Sequence, residues 1–299
     1  MTLIDMNASL GRVDGGIGLA LEEPFIELEA SEADGISAEG PLKERAADAA
    51  EKVVKTLGIK GGIKIKITSA YPSHVGLGSG TQAGLAAGMA VCKLYEKDVS
   101  VREIAKIIGR GGTSGIGVGA FESGGFILDG GHSTAEKRDF LPSSASKAAP
   151  APVLARYDFP DWKIAVVIPK VEGEFKGERE VDVFQAFCPI PPGQVERLSR
   201  LVLMKILPSV VEEDIKAFGE GINEMQKIGF KGVEVSLQPP EVRALMEECR
   251  EYSYGVGLSS FGPAIYAVIE DELGFKNAIK DKAEIIITKA NNDGVIING

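Results

Sequence analysis

The sequence predicts an α+β fold in two domains, and two observations lead to that prediction. Predicted helices and strands alternate along all 299 residues without a long internal repeat. Residues 142–152, PSSASKAAPAP, are small, polar and rich in proline, which indicates a surface loop or linker. We therefore divide the chain into an N-terminal domain of residues 1–152 and a C-terminal domain of residues 153–299.

In the N-terminal half, apolar residues at strand or helix spacing predict the first elements. Residues 2–5 form a short apolar strand, and a turn over residues 7–16 leads to a strand over residues 17–30. A helix over residues 41–57 begins with proline and ends at Gly58. Alternation of isoleucine predicts a strand over residues 61–69.

The remaining elements follow from the same periodicities. The segments are helices at 82–96 and 101–109, a strand at 162–168, two helices within 193–228 on either side of Pro208, a helix at 240–252, and strands at 260–270 and 283–289 with a helix between them. This alternation of elements fits two α+β domains of about 150 residues each.

Composition limits the classes of function. The chain is 44% hydrophobic and 25% charged, so it can bury a sizeable core. Its 33 basic and 43 acidic residues give a net charge of −10, which argues against nucleic acid or a membrane as partner. Three scattered cysteines and two histidines show no zinc-type spacing. No secretory signal or membrane-spanning run is visible, so we expect a cytoplasmic protein.

The stretch from Gly76 to Gly80, GLGSG, lies between a predicted strand and a predicted helix. Glycines let backbone N–H groups converge, and a helix start adds unpaired donors and a positive dipole end. Ser79 and Thr81 add hydroxyl groups, and His74 offers a further donor. The segment therefore predicts a phosphate or diphosphate site that needs little side-chain charge.

The same glycines have a simpler explanation, a tight turn that packs a helix against a sheet. Gly84 and Gly88, four residues apart, favour close packing for the helix itself. The loop lacks the Gly-Lys-Ser/Thr of a Walker A motif, so it is a different kind of phosphate loop if it is one.

These motifs resemble a known superfamily. Pro72-x-x-x-Gly-Leu-Gly-Ser-Gly is similar to the phosphate-binding motif of GHMP kinases, and residues 255–266 resemble their C-terminal glycine-rich motif. One family resembles the chain more closely, the β-ribofuranosylaminobenzene 5′-phosphate synthases. That resemblance rests on residues 2–7, 11–18, 109–117 and 125–132 and extends through nearly the whole chain.

The resemblance implies a fold and an activity. The fold is an N-terminal α/β domain followed by a ferredoxin-like C-terminal domain. The activity is condensation of 5-phosphoribosyl pyrophosphate with 4-aminobenzoate or 4-hydroxybenzoate, with release of CO2 and pyrophosphate, in methanopterin biosynthesis. It also implies Mg²⁺ without an organic cofactor, small-molecule substrates and a homodimer.

One departure from the kinase pattern bears on the choice of function. Many GHMP kinases place a catalytic aspartate shortly after a Ser-Gly pair, but here Gly117 follows Ser114-Gly115-Ile116 and the next acid is Glu122. A ribosyl transfer does not need that base, because its leaving group is already a diphosphate. The alternatives are an ATP-dependent kinase of small molecules and a non-catalytic protein that binds a phosphorylated metabolite.

Candidate catalytic residues fall near the first glycines. We expect Arg12 to hold a diphosphate or a benzoate carboxylate, unless it merely pairs with Asp14 on a glycine-bounded loop. Asp5 ends the first strand, where it can stabilise ribosyl positive charge, bind a metal or cap a turn. Asp5, Asp14 and Glu122 are the candidate metal ligands.

Two further groups complete the candidate site. Arg110, Thr113 and Ser114 form a second glycine-rich donor cluster suited to the 5′-phosphate, and Asp129 and His132 bracket a Gly-Gly pair as an acid–base candidate or as structural residues. Lys170 is a possible cation near the domain junction, and Ser259 and Ser260 are expected to face the same cleft from the second domain.

Overall fold

Three sheets organise the described part of the chain, residues 1–143, 145–171 and 178–298 of a computed structural model (the side chain of Glu178 is not described). The strands are β1 (Thr2–Asp5), β2 (Arg12–Leu19), β3 (Glu27–Ala33), β4 (Ile36–Glu39), β5 (Gly62–Ser69), β6 (Phe126–Asp129), β7 (His132–Ser133), β8 (Val153–Tyr157), β9 (Lys163–Pro169), β10 (Gly255–Leu258), β11 (Ile265–Ile269) and β12 (Ala283–Thr288).

Helices and connecting loops lie between these strands. The helices are α1 (Lys43–Thr56), α2 (Ser79–Leu94), α3 (Val101–Ile108), α4 (Ile116–Ser123), α5 (Glu178–Phe187), α6 (Pro192–Leu201), α7 (Leu207–Val211), α8 (Ile215–Met225), α9 (Gly229–Ser236), α10 (Pro240–Glu251) and α11 (Glu272–Ile279), with a π-helical turn at Val202–Ile206 between α6 and α7. The α+β fold class is confirmed. Among the described residues, no helix is both long and apolar enough to cross a membrane.

The first sheet has the strand order β1-β2-β6-β8, with β7 also paired to β2. All of its pairings are antiparallel. Strand β8 follows the predicted domain division yet pairs with β6 of this sheet. The division after residue 152 therefore stays a prediction, and the first sheet draws on residues from both sides of it.

A second layer combines the β3-β5-β4 sheet with helices α1, α2 and α3. Small residues let these helices approach closely. A methyl group on Gly88 would lie 2.5 Å from Cγ2 of Ile104 in α3 and 3.3 Å from Val53 in α1. Helix packing thus explains Gly84 and Gly88, as expected, and fixes the direction in which the start of α2 points.

The third sheet, β10-β11-β9-β12, is antiparallel and is covered on both faces. Ile265 and Ala267 of β11 pack towards α10 and α11, whereas Val268 packs on the opposite face with Phe218. That second cluster also contains Phe126 of the first sheet, whose ring stacks on Phe159 with centroids 6.0 Å apart. The two halves of the chain therefore share a hydrophobic core.

The structure corrects the predicted strand over residues 17–30, because two strands, β2 and β3, occupy this region. Residues 20–26 between them include Pro24, which lacks the N–H that a strand ladder requires. Strand β2 also begins earlier than predicted, so Arg12 and Asp14 lie on a strand and not in a loop.

The two helices predicted around Pro208 are also wrong in detail. Proline occupies the first turn of α7, directly after the π-helical turn, so the helical path continues through it. The break comes at residues 212–214, where the Asp214 side chain accepts hydrogen bonds from the N–H groups of Lys216 (3.1 Å) and Ala217 (3.0 Å).

Two further expectations need correction. The predicted strand 260–270 is shorter, since residues 259–264 form a turn between β10 and β11. The described residues of the predicted linker, 142–143 and 145–152, are held against the rest of the chain: Ser146 is buried and donates to the Gly112 carbonyl, and Arg102 donates to the carbonyls of Pro150 and Ala151 at 2.6 and 2.9 Å. The segment packs against the loop that follows α3.

Candidate functional site

The first glycine loop, residues 72–78, joins β5 to the start of α2. Gly76 and Gly78 have φ angles of 90° and 73°, a backbone conformation that favours glycine. The first intrahelical bonds are those from the N–H groups of Thr81 and Gln82 to the carbonyl of Gly78. Among the described residues, the five N–H groups of Gly76, Leu77, Gly78, Ser79 and Gly80 have no acceptor. We call these five groups the amide cradle.

A second glycine-rich turn, residues 259–264, packs against the first loop. The Ser259 hydroxyl donates to the Gly76 carbonyl at 2.9 Å, and the Ala264 N–H donates to the Val75 carbonyl at 3.1 Å. A methyl group on Gly76 would collide with the Ser259 carbonyl oxygen. Glycine is thus required at residue 76 by contact as well as by φ, and the two halves of the chain meet at this point.

The residues of the amide cradle line an open cavity of about 1820 Å³, which extends from the two turns to β3, to the start of α1 and to the C-terminal segment. Many of the residues that the sequence predicts for the site line it: His74, Gly76, Gly78, Ser79, Gly80, Thr81, Arg110, Thr113, Ser114, Ser259 and Ser260. The structure thus brings the three glycine-rich segments, which are far apart in sequence, to one cavity wall.

Arg45 also lines this cavity, and sequence analysis missed it. It lies in the first turn of α1, where its sequence position resembles that of the other charged residues on the exposed face of an amphipathic helix. Only the packing of α1 against α2 brings its guanidinium group near Gly80, within 4.0 Å of a methyl group placed there. A terminal nitrogen of Arg110 lies 3.9 Å from the same point.

Other predicted residues lie outside the cavity lining. Asp5 Oδ1 accepts from the N–H groups of Asn7 (2.9 Å) and Ala8 (3.0 Å), as a turn-capping aspartate does. Glu122 is exposed on α4. Lys170 is exposed at the end of β9 and lines a separate small pocket with Glu241 and Glu248.

Arg12 binds main-chain carbonyl groups. Its Nε donates to Gly130 O and one terminal nitrogen donates to Gly131 O, both at 2.8 Å. The guanidinium group therefore clasps the turn between β6 and β7. Asp14, the partner that the sequence suggested for Arg12, is instead a completely buried residue of β2.

Asp14 is the centre of a buried polar network. Lys137 Nζ donates to both of its carboxylate oxygens at 3.0 and 2.9 Å and also to Thr113 Oγ1 at 2.9 Å. The Thr113 hydroxyl in turn donates to the Leu141 carbonyl at 2.6 Å. The network ties β2 to the loop after α3, and it uses the hydroxyl that sequence analysis assigned to a phosphate.

The side chain of His132 completes this network. Its Nδ1 lies 2.6 Å from Asp14 Oδ2 and its Nε2 lies 2.8 Å from the Ala149 carbonyl oxygen, a geometry that suits an imidazolium donating from both nitrogens. Burial lowers the pKa of His132, but the hydrogen bond and charge of Asp14 more than offset it, so the pKa is raised. Because both ring nitrogens face acceptors, neither has a free lone pair for use as a base.

Lys137 is a second residue that sequence analysis missed. It lies among charged neighbours, Glu136, Arg138 and Asp139, which indicate an exposed loop, yet only 5% of its surface is exposed. Burial lowers its pKa, and the carboxylate of Asp14 counteracts this. Nothing in the local pattern distinguishes this lysine from the solvated charges beside it.

Asp129 links the two turns near the first sheet. One of its oxygens accepts from Gly131 N at 2.9 Å and the other from Gly115 N at 3.0 Å, directly before α4. Burial raises the pKa of Asp129 to about 6, although these two hydrogen bonds oppose the shift. This carboxylate fixes the loop that carries Ser114 to the end of β6.

A buried ion pair supports the second glycine-rich turn. Lys231 Nζ lies 2.5 Å from Glu234 and donates to the carbonyls of Leu258 and Ser260 at 3.2 and 3.0 Å. Ser260 has a φ of 50°, which these contacts help to hold. Glu180 lines the same part of the cavity, and burial followed by the charge of Glu234 raises its pKa.

The predicted metal ligands do not converge. Asp5 caps a turn, Asp14 is saturated by Lys137 and His132, and Glu122 is exposed on α4. Within the described residues, no group of three or more His, Cys, Asp or Glu side chains could hold a metal ion. The described side chains thus do not fit a protein-only metal cage.

Comparison with known proteins places this geometry in context. Residues 44–125 match the family described as GHMP kinases N terminal domain, and residues 206–285 match GHMP kinases C terminal. The chain is 50% identical to the beta-ribofuranosylphenol 5'-phosphate synthase of Methanocaldococcus jannaschii, over 98% of this chain and 96% of that protein. It is 47% identical to the protein of the same name from Archaeoglobus fulgidus, over 99% and 96%.

Among solved structures, the homoserine kinase of Cytophaga hutchinsonii is similar in fold. It superimposes with a TM-score of 0.68 at 17% identity, over 98% of this chain and 93% of that chain. A sequence identity this low is evidence for a shared fold alone. The two-domain GHMP architecture expected from the sequence is confirmed.

Proposed function

Because this chain belongs to the beta-ribofuranosylphenol 5'-phosphate synthase family of the GHMP superfamily, we propose that it transfers ribose 5-phosphate to an aromatic ring. The donor is 5-phosphoribosyl pyrophosphate, the acceptor is 4-hydroxybenzoate or 4-aminobenzoate, and CO2 and pyrophosphate are released. The name of these relatives describes a phenol product, which favours the hydroxybenzoate. The step belongs to methanopterin biosynthesis, as the resemblance implies.

The amide cradle is the single observation that most supports this proposal. Five consecutive N–H groups have no acceptor among the described residues, and they belong to residues that line the cavity at the start of a 16-residue helix. Such groups bind anions through hydrogen bonds and through the positive end of the helix dipole. A protein of net charge −10 can therefore attract a phosphorylated donor locally.

The residues of the cavity suggest how the reaction proceeds. The cradle holds a phosphate-bearing part of the donor, and the C1–O bond of the ribose breaks with its electron pair leaving on the diphosphate. The ring carbon that carries the carboxylate then bonds to C1. Its bond to the carboxylate breaks, CO2 leaves, and the returning electron pair restores the aromatic ring.

The buried groups have a positioning role in this proposal. Lys137, Asp14 and His132 hold the loop after α3, Asp129 holds the start of α4, and Arg12 holds the β6–β7 turn. Since catalysis requires donors fixed within fractions of an ångström, loosening these supports lowers the rate without removing a contact to substrate.

A kinase of the same fold is disfavoured at Gly117. A methyl group on this residue would lie 3.3 Å from Cγ2 of Thr81, and its carbonyl accepts a hydrogen bond from Gln82 Nε2 at 2.8 Å. An aspartate side chain there would press on α2 directly beside the cradle. The tight packing around Gly117 therefore leaves little room for the acid that many kinases carry in this region.

A divalent metal and a homodimer remain predictions from the family resemblance. Mg²⁺ usually binds through substrate phosphates with one or two carboxylates, so the donor itself can carry it. Because the predicted ligands do not converge, we assign no step of the mechanism to the metal and no residue to its coordination.

Release of labelled CO2 tests the proposal. The protein is incubated with 5-phosphoribosyl pyrophosphate and carboxyl-labelled 4-hydroxybenzoate, or the amino analogue, with and without Mg²⁺. We expect labelled CO2 only when donor and acceptor are both present. Consumption of ATP with a simple alcohol would instead indicate a kinase, and saturable donor binding without turnover would indicate a non-catalytic protein.

A further inference from the structure

Two arginines lie close to the amide cradle. A methyl group placed on Gly80 would lie 4.0 Å from Nε of Arg45 and 3.9 Å from a terminal nitrogen of Arg110. Both side chains line the cavity. They come from different elements, α1 and the loop after α3, so the folded structure and not the local sequence pairs them.

The charges of this arginine pair are not balanced by the described residues. Neither guanidinium group forms a hydrogen bond or an ion pair with a described side chain or carbonyl. Asp48 is the nearby acid whose charge acts on Arg110, but its carboxylate pairs with Lys52 at 2.8 Å. Burial, and next the charge of Arg45, lower the pKa of Arg110.

This arrangement carries an electrostatic cost in the free protein. Arg110 is partly buried and loses hydration, and the charge of the exposed Arg45 beside it adds a solvent-screened repulsion. The arrangement gains stability only when an anion enters the cavity and accepts from both guanidinium groups, which present planar forks suited to phosphate oxygens.

We infer that Arg45 and Arg110 form the binding site for the diphosphate of the donor, an inference that rests on the proposed function. The two guanidinium groups offer up to about ten N–H donors, and the cradle adds five. One phosphate, with three terminal oxygens, would leave most of these donors unfilled, whereas two linked phosphates can accept from both sets. This assigns Arg110 to the leaving group and not to the 5′-phosphate that the sequence suggested.

The pair acts on the bond that breaks. As the C1–O bond of the ribose opens, its electrons move onto the diphosphate, and negative charge grows where the guanidinium groups already lie. Arg45 is therefore expected to contribute to catalysis by stabilising the leaving group, in addition to binding the donor.

Binding of pyrophosphate and of ribose 5-phosphate to the whole protein, each measured by calorimetry, tests this inference. Arg45→Gln and Arg110→Gln are compared with wild type and with Arg243→Gln, which removes an exposed arginine of α10 far from the lining residues. We expect each cavity variant to weaken pyrophosphate binding about tenfold or more, with a smaller effect on ribose 5-phosphate. Arg243→Gln is expected to bind both probes as wild type does.

Thermal unfolding separates this role from a structural one. Without ligand, Arg45→Gln is expected to unfold at the wild-type temperature or above it, because a like-charge contact is relieved. A lower unfolding temperature with unchanged pyrophosphate affinity would overturn the inference, as would equal losses for both probes. Arg45→Lys retains the charge without the fork and should show intermediate binding.

These measurements do not depend on turnover. If wild type binds pyrophosphate through the arginine pair but releases no CO2, the proposed reaction fails while the anion site stands. If CO2 is released and the arginine variants bind pyrophosphate normally, the inference fails and the proposed function stands.

Discussion

At the scale of single residues, the most consequential feature is a fully buried carboxylate that two basic side chains contact. Asp14, with a φ of 71°, accepts from Lys137 Nζ and lies 2.6 Å from Nδ1 of His132. Removing one member of such a network leaves an uncompensated buried charge, which costs far more than the pair itself contributes. The network therefore holds the loop after α3 by electrostatics that a single substitution can disrupt.

Lys137→Met tests this interpretation. The substitution leaves Asp14 with His132 alone and Thr113 Oγ1 without its donor, so the free energy of unfolding should fall by about 3–5 kcal/mol. Denaturant unfolding measures the change. Arg138→Met, at the exposed neighbouring residue, is the matched control and should stay within about 0.5 kcal/mol of wild type. Equal stability of the two variants would show that the network does not hold the loop.

Sequence analysis located the cradle but not its charged partners. Glycines between a strand and a helix have a local meaning, so Gly76, Gly78 and Ser79 were identifiable from their neighbours alone. Arg45 and Lys137 were not, because each resembles the solvated charges around it. Their roles depend on contacts with residues distant in sequence, such as Asp14 for Lys137, and no local pattern records those contacts.

At the scale of elements, the decisive contact is between the two glycine-rich turns. The first turn positions the amides, and the second, residues 259–264, packs against it through the hydrogen bond from Ser259 to the Gly76 carbonyl. The Lys231–Glu234 ion pair holds the second turn through the hydrogen bond from Lys231 to the Ser260 carbonyl. The order of the amides thus depends on residues from both halves of the chain.

Gly76→Ala and Gly78→Ala form a matched pair for this contact. Both glycines have positive φ, so each substitution carries a backbone cost of about 1–2 kcal/mol. Only Gly76→Ala also forces a methyl group against the Ser259 carbonyl, since the space around Gly78 is open. Steady-state CO2 release should fall about 100-fold or more for Gly76→Ala and by a clearly smaller factor for Gly78→Ala.

The opposite ranking of these two variants would contradict the role of the turn contact. Circular dichroism of both variants serves as the control for folding. If Gly76→Ala folds normally and keeps wild-type activity, the second turn does not order the first.

Element boundaries were predictable where one face of an element is buried and less so where proline intervenes. Alternating isoleucines identified β5, and the helical spacing of alanines and valines identified α1. Pro208 predicts a helix break, yet the helical path continues through it, because the proline lies in the first turn of α7 directly after the π-helical turn. Residues 142–152 have the composition of a linker, but the carbonyl groups of Pro150 and Ala149 contact Arg102 and His132, which are distant in sequence.

At the scale of the whole molecule, the cavity exists because two sheets share one core. Phe126 of the first sheet and Phe218 of the second half lie in the same apolar cluster, with ring centroids 6.0 Å apart. This shared core sets the distance between the amide cradle and the turn at residues 259–264. We therefore regard the site as a property of the assembled chain and not of either half.

The central claim is that main-chain amides of the cradle bind the phosphorylated donor. Amide resonances of the ¹⁵N-labelled protein, recorded during titration with 5-phosphoribosyl pyrophosphate, test it most directly. We expect the Gly76, Gly78 and Gly80 signals to shift, while those of Gly35 and Gly193, outside the cavity lining, stay unchanged. Saturable donor binding that leaves the three cradle signals in place would contradict the account.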